Sequence, residues 1–387
     1  MRLLLLLSFC LFGHISESFA ANQWQQRADF GSFGRHRGTG VGIANKAYCG
    51  LGHLNGAPGI DYRFPDWWEY DPASNSWAQK ADYPANGGNG DQDVVVMPLE
   101  TVAFVGMGGV DQTNWFKYDA QTNIWTDATD PPAGATFHNE HAFTIGHKGY
   151  FPTLFSTIFW EYDADLDLWT QRASIPLSTS FGNPTFAIGD KGYLKIGASL
   201  LEYDPALDTW TTKAPFPGLY PNRPKAIHQY GYGYLIGGMN ASWIWSPEVW
   251  RYDPASDSWL QLQDFPGTTR RWATAVNVSG RVYYGLGTNG TNFNDFWEFN
   301  PVASTDEFEI DQFKMYPNPA VDQVNFTSDQ YQEFDIVLYD LMGNAISTVS
   351  AINGKAQMNR QNFATGTYIY RVMVDGNSVH SDRVVFF

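Results

Sequence analysis

The chain has 387 residues, a net charge of −16, 16% aromatic residues and only two cysteines. That length exceeds one ordinary domain and is ample for a sizeable core. The acidity argues against nucleic acid and anionic lipid as partners, and the mix of aromatics and glycine suits short strands joined by tight turns.

Residues 1–20 have the pattern of a secretory signal peptide. Arg2 is the positive start, Leu3 to Phe12 is the apolar run, and Ser18-Phe19-Ala20 is the small-residue cleavage site. The run is too short to cross a bilayer as a helix, so no membrane insertion is expected. Cys10 lies inside it. Cleavage therefore leaves Cys49 alone, and an exported protein without an internal disulfide must be held by packing.

A repeat follows. An aromatic-acid pair precedes a tryptophan by seven residues in Tyr70-Asp71 to Trp77, Tyr118-Asp119 to Trp125, Tyr162-Asp163 to Trp169, Tyr203-Asp204 to Trp210 and Tyr252-Asp253 to Trp259. A sixth copy is split. Phe299-Asn300 has Asp306 where the tryptophan should fall, while Trp24 stands unpaired near the start with the matching tail Arg27-Ala28-Asp29-Phe30. A closed ring explains half a repeat at each end, because the first segment completes the last unit. The tryptophan spacings from Trp24 to Trp259 are 53, 48, 44, 41 and 49 residues, the period of a β-propeller with four strands per unit. In one unit Ala142 to Ile145, a second strand opening at Tyr150 after a turn at Lys148-Gly149, Phe159 to Tyr162, and a strand from Trp169 supply the four. Asp-Pro-Ala-Ser-Asp-Ser at 253–258 is the hairpin between the last two, with proline fixing φ and Asp and Ser oxygens bonding nearby N–H groups.

Residues 22–305 resemble kelch repeats of the galactose oxidase/kelch-like type. The double glycine stands at Gly108-Gly109 and Gly237-Gly238 and is loosened to Gly50-Leu51-Gly52 and Gly285-Leu286-Gly287; Phe151-Pro152-Thr153-Leu154 lacks it. The resemblance implies a six-bladed kelch-type β-propeller closed by an N-terminal strand, but propellers of this kind host unrelated activities. A linker is expected over 306–311.

Residues 312–387 carry Tyr316-Pro317-Asn318-Pro319, a strand from Phe334 to Tyr339, a turn at Leu341-Met342-Gly343-Asn344, a strand from Thr367 to Val374 and an Asp375-Gly376-Asn377 hairpin into a closing strand. This reads as a small immunoglobulin-like β-sandwich of about seven strands, and the whole chain as all-β. The run of motifs is similar to the C-terminal sorting domain of the type IX secretion system. It implies the outer-membrane secretion machinery as a partner, removal of the domain during export, and a mature protein secreted from, or held on the surface of, a Gram-negative bacterium.

In a propeller the start of the inner strand and the loop after the second strand share one face. Aligning the units on Tyr48, Phe104, Tyr150, Tyr193, Tyr234 and Tyr283 puts Arg35-His36-Arg37, Asp91-Gln92-Asp93, His138-Asn139-Glu140, Asn183, Asn222-Arg223 and Arg270-Arg271 around that mouth. From this ring Arg37, Asp93, Glu140, Asn183, Arg223 and Arg271 are ligand-binding candidates, because Arg forks suit carboxylates and Asp, Glu and Asn suit hydroxyls. Gly52 to Asp66, Met239 to Glu248 and Thr288 to Asp295 form the long loops, and closure makes their units neighbours. They add Tyr62, Phe64, Trp243, Trp245 and Phe293, flat rings suited to a sugar or peptide groove or to packing loops onto blades. His138 and His141 on a strand would point to opposite faces, so no metal is expected. Cys49 follows Tyr48 in mid-blade, as a core residue. No cofactor is expected, and no catalytic residue is assigned. The leading reading is a monomeric binding protein for a glycan or protein ligand. The alternative is a sugar-active enzyme, such as an N-acetylneuraminate epimerase-like isomerase using Arg and acidic residues of the central pocket.

Overall fold

The third strands predicted by the repeat share one burial pattern. In Trp67–Asp71 and Val249–Asp253 the first and fourth residues are buried and the others half-buried. Such strands sit between two neighbours and two layers of side chains. The computed structural model describes residues 24–300 and 314–386, apart from 56–60, 139–140, 221, 279–280, 319, 329–330, 341–343, 361–362 and 375–376. The expected signal peptide over 1–20 and linker over 306–311 lie outside the described residues.

Six antiparallel four-stranded sheets occupy residues 24–300. Their inner strands are Thr39–Ile43, Val95–Pro98, Phe143–Ile145, Thr185–Ile188, Lys225–Gln229 and Thr274–Val278, in blades 1 to 6. Each packs beside the next, and the last packs beside the first, so the ring is closed around a channel. Blade 6 is completed by Trp24–Gln26, which pairs antiparallel with Phe296–Phe299 and sets Trp24 opposite Phe299. This is the closure that the split repeat predicts. Gly42 makes the first and last blades fit: a Cβ there would lie 2.0 Å from the Asn277 carbonyl oxygen. The turn expected at Lys148-Gly149 lies instead at Gly146-His147, because Lys148 and Gly149 already pair across to Asp163 and Tyr162.

The repeated residues act as clamps between blades. Each Asp of the Tyr-Asp pair accepts an N–H two residues on, as Asp71 does from Ala73 at 2.8 Å and Asp253 from Ala255 at 2.9 Å, which folds the hairpin. Five residues after the tyrosine stand Asn75, Asn123, Asp167, Asp208 and Asp257, all in the left-handed region. Each accepts the tyrosine hydroxyl and also one backbone N–H from the chain entering from the previous blade: Ala28, Ala81, Thr129, Ala173 and Ala214, each at 2.9 Å. The repeat tryptophan donates its indole N–H to the carbonyl of that same residue, as Trp77 does to Ala28 at 3.1 Å and Trp125 to Ala81 at 2.9 Å. One residue of each of these five tails is thus held at both ends by the next blade.

Residues 314–386 form a sandwich of a three-stranded and a four-stranded sheet, seven strands in all. Phe326, Ile336, Leu338, Met358, Val372 and Phe386 are buried between them. Val374 pairs with Asn377, and Asp375 and Gly376 of the expected hairpin lie outside the described residues. The four-stranded sheet stands against the propeller face where the inner strands end, called the lower face below. A cavity of about 740 Å³ lies there, lined by inner strands and by the sandwich.

Candidate functional site

At the opposite, upper mouth one backbone position recurs. The residue two before the inner strand is Arg37 in blade 1, Asp93 in blade 2, Arg223 in blade 5 and Trp272 in blade 6, with φ of 57°, 55°, 58° and 53°. A non-glycine residue in this left-handed region costs roughly 1–2 kcal/mol. Four non-glycine residues in that state at equivalent places concentrate backbone strain at one rim, which makes it the candidate site. Backbone bonds between blades hold them there. Trp272 accepts from the Arg37 N–H at 3.1 Å, Arg37 accepts from the Asp93 N–H at 2.9 Å, and Gly182 accepts from the Arg223 N–H at 3.2 Å.

The side chains form a cationic, aromatic rim. The Arg37 and Arg271 guanidiniums lie 4.2 and 4.0 Å from the Trp272 ring, and the His36 imidazole stacks on it at 5.1 Å. Arg271 also lies 5.6 Å from Trp245 and 5.9 Å from Trp243, which in turn is 5.8 Å from Arg223. All are within reach of cation–π attraction. Arg37 is paired, its Nη1 donating to Asp93 Oδ2 at 3.0 Å. Arg223 and Arg271 make no ion pair with any described carboxylate. Burial, with the charges of Arg37 and Arg223, lowers the pKa of Arg271. The same causes act on His36: burial first, then His53, Arg37 and Arg271, push it down to about 4 against its bond to Asn292. The imidazole is therefore neutral at physiological pH. Beside it, His53 Nε2 meets Asp61 Oδ1 at 2.5 Å. Asp93 Oδ1 lies 3.5 Å from His138 Nε2.

The structure sorts the residues named from sequence into two layers. Arg37, Asp93, Arg223 and Arg271 belong to the rim, with Trp245 half-buried and Trp243 and Tyr62 exposed by 55% and 52%. Phe64 and Phe293 pack onto buried arginines of their own blades. Phe64 covers Arg35 at 3.6 Å and Phe293 covers Arg270 at 4.2 Å. Those arginines are buried inside their blades and form two-pronged pairs with Asp66 and Asp295. Asn183 is also buried and accepts from the Ser180 N–H and hydroxyl, which fixes a turn. Asp91 and Asp93 do not share a face: Asp91 is enclosed and accepts the N–H groups of Gln92 and Val110, with burial raising its pKa to about 6. Gly108 is required by that carboxylate, which lies 2.3 Å from where a Cβ would be. Glu140 lies outside the described residues. His138 and His141 are not on a strand but in a turn closed by the His141 N–H to the His138 carbonyl, and their rings are 5.9 Å apart rather than on opposite faces. Cys49 is wholly buried, as expected of a core thiol, and burial pushes its pKa up.

Trp272 and His53 are missing from the residues that sequence places at the mouth, and His36, placed there, is not among its candidates. Their signal is the parallel between Arg35-His36-Arg37 and Arg270-Arg271-Trp272, each led by a buried Arg with its acid in Asp66-Trp67-Trp68 or Asp295-Phe296-Trp297. Aligned on those pairs, Trp272 falls level with Arg37.

Residues 314–386 match the family described as the secretion system C-terminal sorting domain. The protein is therefore a cargo of the type IX route, bound for the cell surface or the medium of a Gram-negative bacterium. No curated protein is similar to the chain in sequence. Among solved structures the chain is similar to that reported as the structure of YjhT, with a TM-score of 0.54 and 14% identity over 70% of this chain and 95% of that one. At this identity the likeness is one of fold, and it agrees with the propeller found here.

Proposed function

We propose that the protein is an exported, monomeric binding protein of the kelch type, and that its upper mouth takes an acidic glycan. Residues 22–305 are the binding module, and 312–387 the export module. The carrying observation is that Arg223 and Arg271 have no carboxylate partner among the described residues, although the chain bears a net charge of −16. Two guanidiniums left without anions, beside exposed Trp243 and half-buried Trp245, offer a fork for a carboxylate and flat faces for sugar rings. Calorimetry on the full chain with a panel of uronic and sialic acids, their neutral counterparts and acidic peptides tests this. Equal affinity for neutral and acidic sugars would refute it, and binding of peptides alone would make the partner a protein.

One arrangement favours a second reading, an isomerase acting on the same sugars. Asp93, 5% exposed, lies between the Arg37 guanidinium and the His138 imidazole, a carboxylate–imidazole pair suited to moving a proton. Proton NMR of a sugar in deuterated buffer distinguishes the two. Enzyme-dependent exchange of a carbon-bound hydrogen supports catalysis, and line broadening alone supports binding.

A further inference from the structure

A cavity of about 740 Å³ lies away from the rim residues. It runs along the channel from the first residues of the inner strands, Thr39, Thr185, Lys225 and Thr274, to the turns at their ends, Ala44-Asn45 and Tyr230-Gly231. Its walls are the inner strands, and its floor is the sorting domain, through Tyr339, Asp340, Thr367, Ile369, Arg371 and Arg383. Period-two alternation explains this floor. In Gly366–Val374, Tyr370 and Val372 point into the sandwich core, so Thr367, Ile369 and Arg371 point out of it, toward the propeller. Ile369 is outside that core, yet only 6% exposed. An apolar side chain on the outer face of a sheet is buried here because the propeller covers it. Arg371 makes the specific contact. Its guanidinium lies 4.8 Å from the Tyr232 ring and 5.1 Å from Tyr339, and its Nη2 occupies the space where a side chain on Gly231 would begin, 2.1 Å from the Cβ position.

We propose that the sorting domain is the stopper of the propeller's channel. While it is attached, the channel is a chamber with a single mouth, the ligand-binding one. Detachment opens the lower end and turns the chamber into a passage. The sheet face carrying Ile369 and Arg371 is occupied by the chain itself, so the secretion machinery must use the remaining surface of the domain or displace it first.

His228 reports on this. It lines the chamber on the inner strand Lys225–Gln229. Diethyl pyrocarbonate would be applied to four proteins: the full-length parent, the same chain cut at a protease site placed within 301–313 and freed of its tail by gel filtration, and full-length Arg371→Glu and Arg371→Lys. Labelling would be read by peptide mass spectrometry, with His147, 45% exposed on the outside, as reference. The ratio of His228 to His147 labelling should rise most in the cut protein, whose floor is gone, and by up to about tenfold in Arg371→Glu, the size of one lost cation–π anchor. Arg371→Lys, which keeps a cation over the rings, should label like the parent. Should Arg371→Glu disturb the tail's own fold, the cut protein and Arg371→Lys still decide the matter. An equal ratio in parent and cut proteins, or Arg371→Lys as reactive as Arg371→Glu, would overturn the proposal.

Discussion

The joints between blades and the rim above them use the same backbone trick for different ends. At each joint a left-handed Asn or Asp turns its oxygen inward, to a tyrosine hydroxyl and a neighbour's N–H. At the rim, left-handed Arg37, Arg223 and Trp272 turn bulky groups outward, and Arg223 finds no ion-pair partner among the described residues. The joints repeat from blade to blade, and the rim does not. Repetition marks what every blade needs to stand, and departure from it marks what only one mouth needs. Breaking a joint should thus lower stability and spare binding, and altering the rim should do the reverse.

The strongest test is Trp24, whose ring is 4.6 Å from Phe299 and 5.0 Å from Phe265 and which closes the circle. Trp24→Ala should destabilise the propeller by about 3–5 kcal/mol in denaturant unfolding. Loss of residues 24–30 should leave no cooperative transition. Next comes Arg271→Ala. Affinity for a carboxylated sugar should fall about tenfold to a hundredfold by calorimetry, the worth of a charge-assisted hydrogen bond, while the unfolding midpoint stays put. A large fall in stability would make Arg271 a joint residue and void the contrast. Asn123→Ala is the mirror case. Its oxygen takes the Tyr118 hydroxyl at 2.9 Å and the Ala81 N–H at 2.9 Å, so about 1–3 kcal/mol of stability should go with binding unchanged.

The joints were legible in the sequence because every part of them recurs. Tyr, Asp and Trp at fixed spacing gave blade number, the role of Trp24 and the order of strands, since a repeated side chain implies a repeated environment. The rim was only partly legible. Arg35 and Arg37 are the same residue type two positions apart, and on sequence both stand at the mouth with only Arg37 taken as a candidate; one is sealed under Phe64 and the other lies at the rim. Which is which depends on a left-handed turn at Arg37, and neither Arg nor Trp announces positive φ as glycine does. Hence Trp272 went unseen behind Arg270-Arg271. The floor of the channel was illegible for a different reason. Nothing local to Ile369 or Arg371 tells that a second domain lies against them.

Arg223→Gly separates strain from chemistry. Glycine takes φ of 58° freely, so the variant should gain about 1 kcal/mol of stability while losing anion affinity. Opposite signs from one substitution are expected at a rim position and at no joint position, because the joint residues return their strain as hydrogen bonds.

The smallest effect is one of pH, and it contrasts two histidines. His36, behind the rim, is pushed down to about 4 by burial and its cationic neighbours. His147, exposed on the outer surface, is raised above its ordinary value by Asp165 first and Glu100 second. The signs follow from which state binds protons. The unfolded chain protonates His36 near 6.5 and the folded one only near 4, so its contribution to stability is present above 6.5 and is lost as pH falls through that window. For His147 the contribution is present below 6.5 and is lost as pH rises through its raised pKa. In an NMR titration the His36 ring signals should stay still from pH 8 to 5, while those of His147 move with a midpoint above 6.5. Anion affinity should then be flat over the same range, because the rim's charge comes from arginines and not from an imidazole. A His36 midpoint near 6.5, with affinity rising as it protonates, would mean that the ring is not buried behind the rim and that an imidazole, not the arginines alone, supplies the rim's charge.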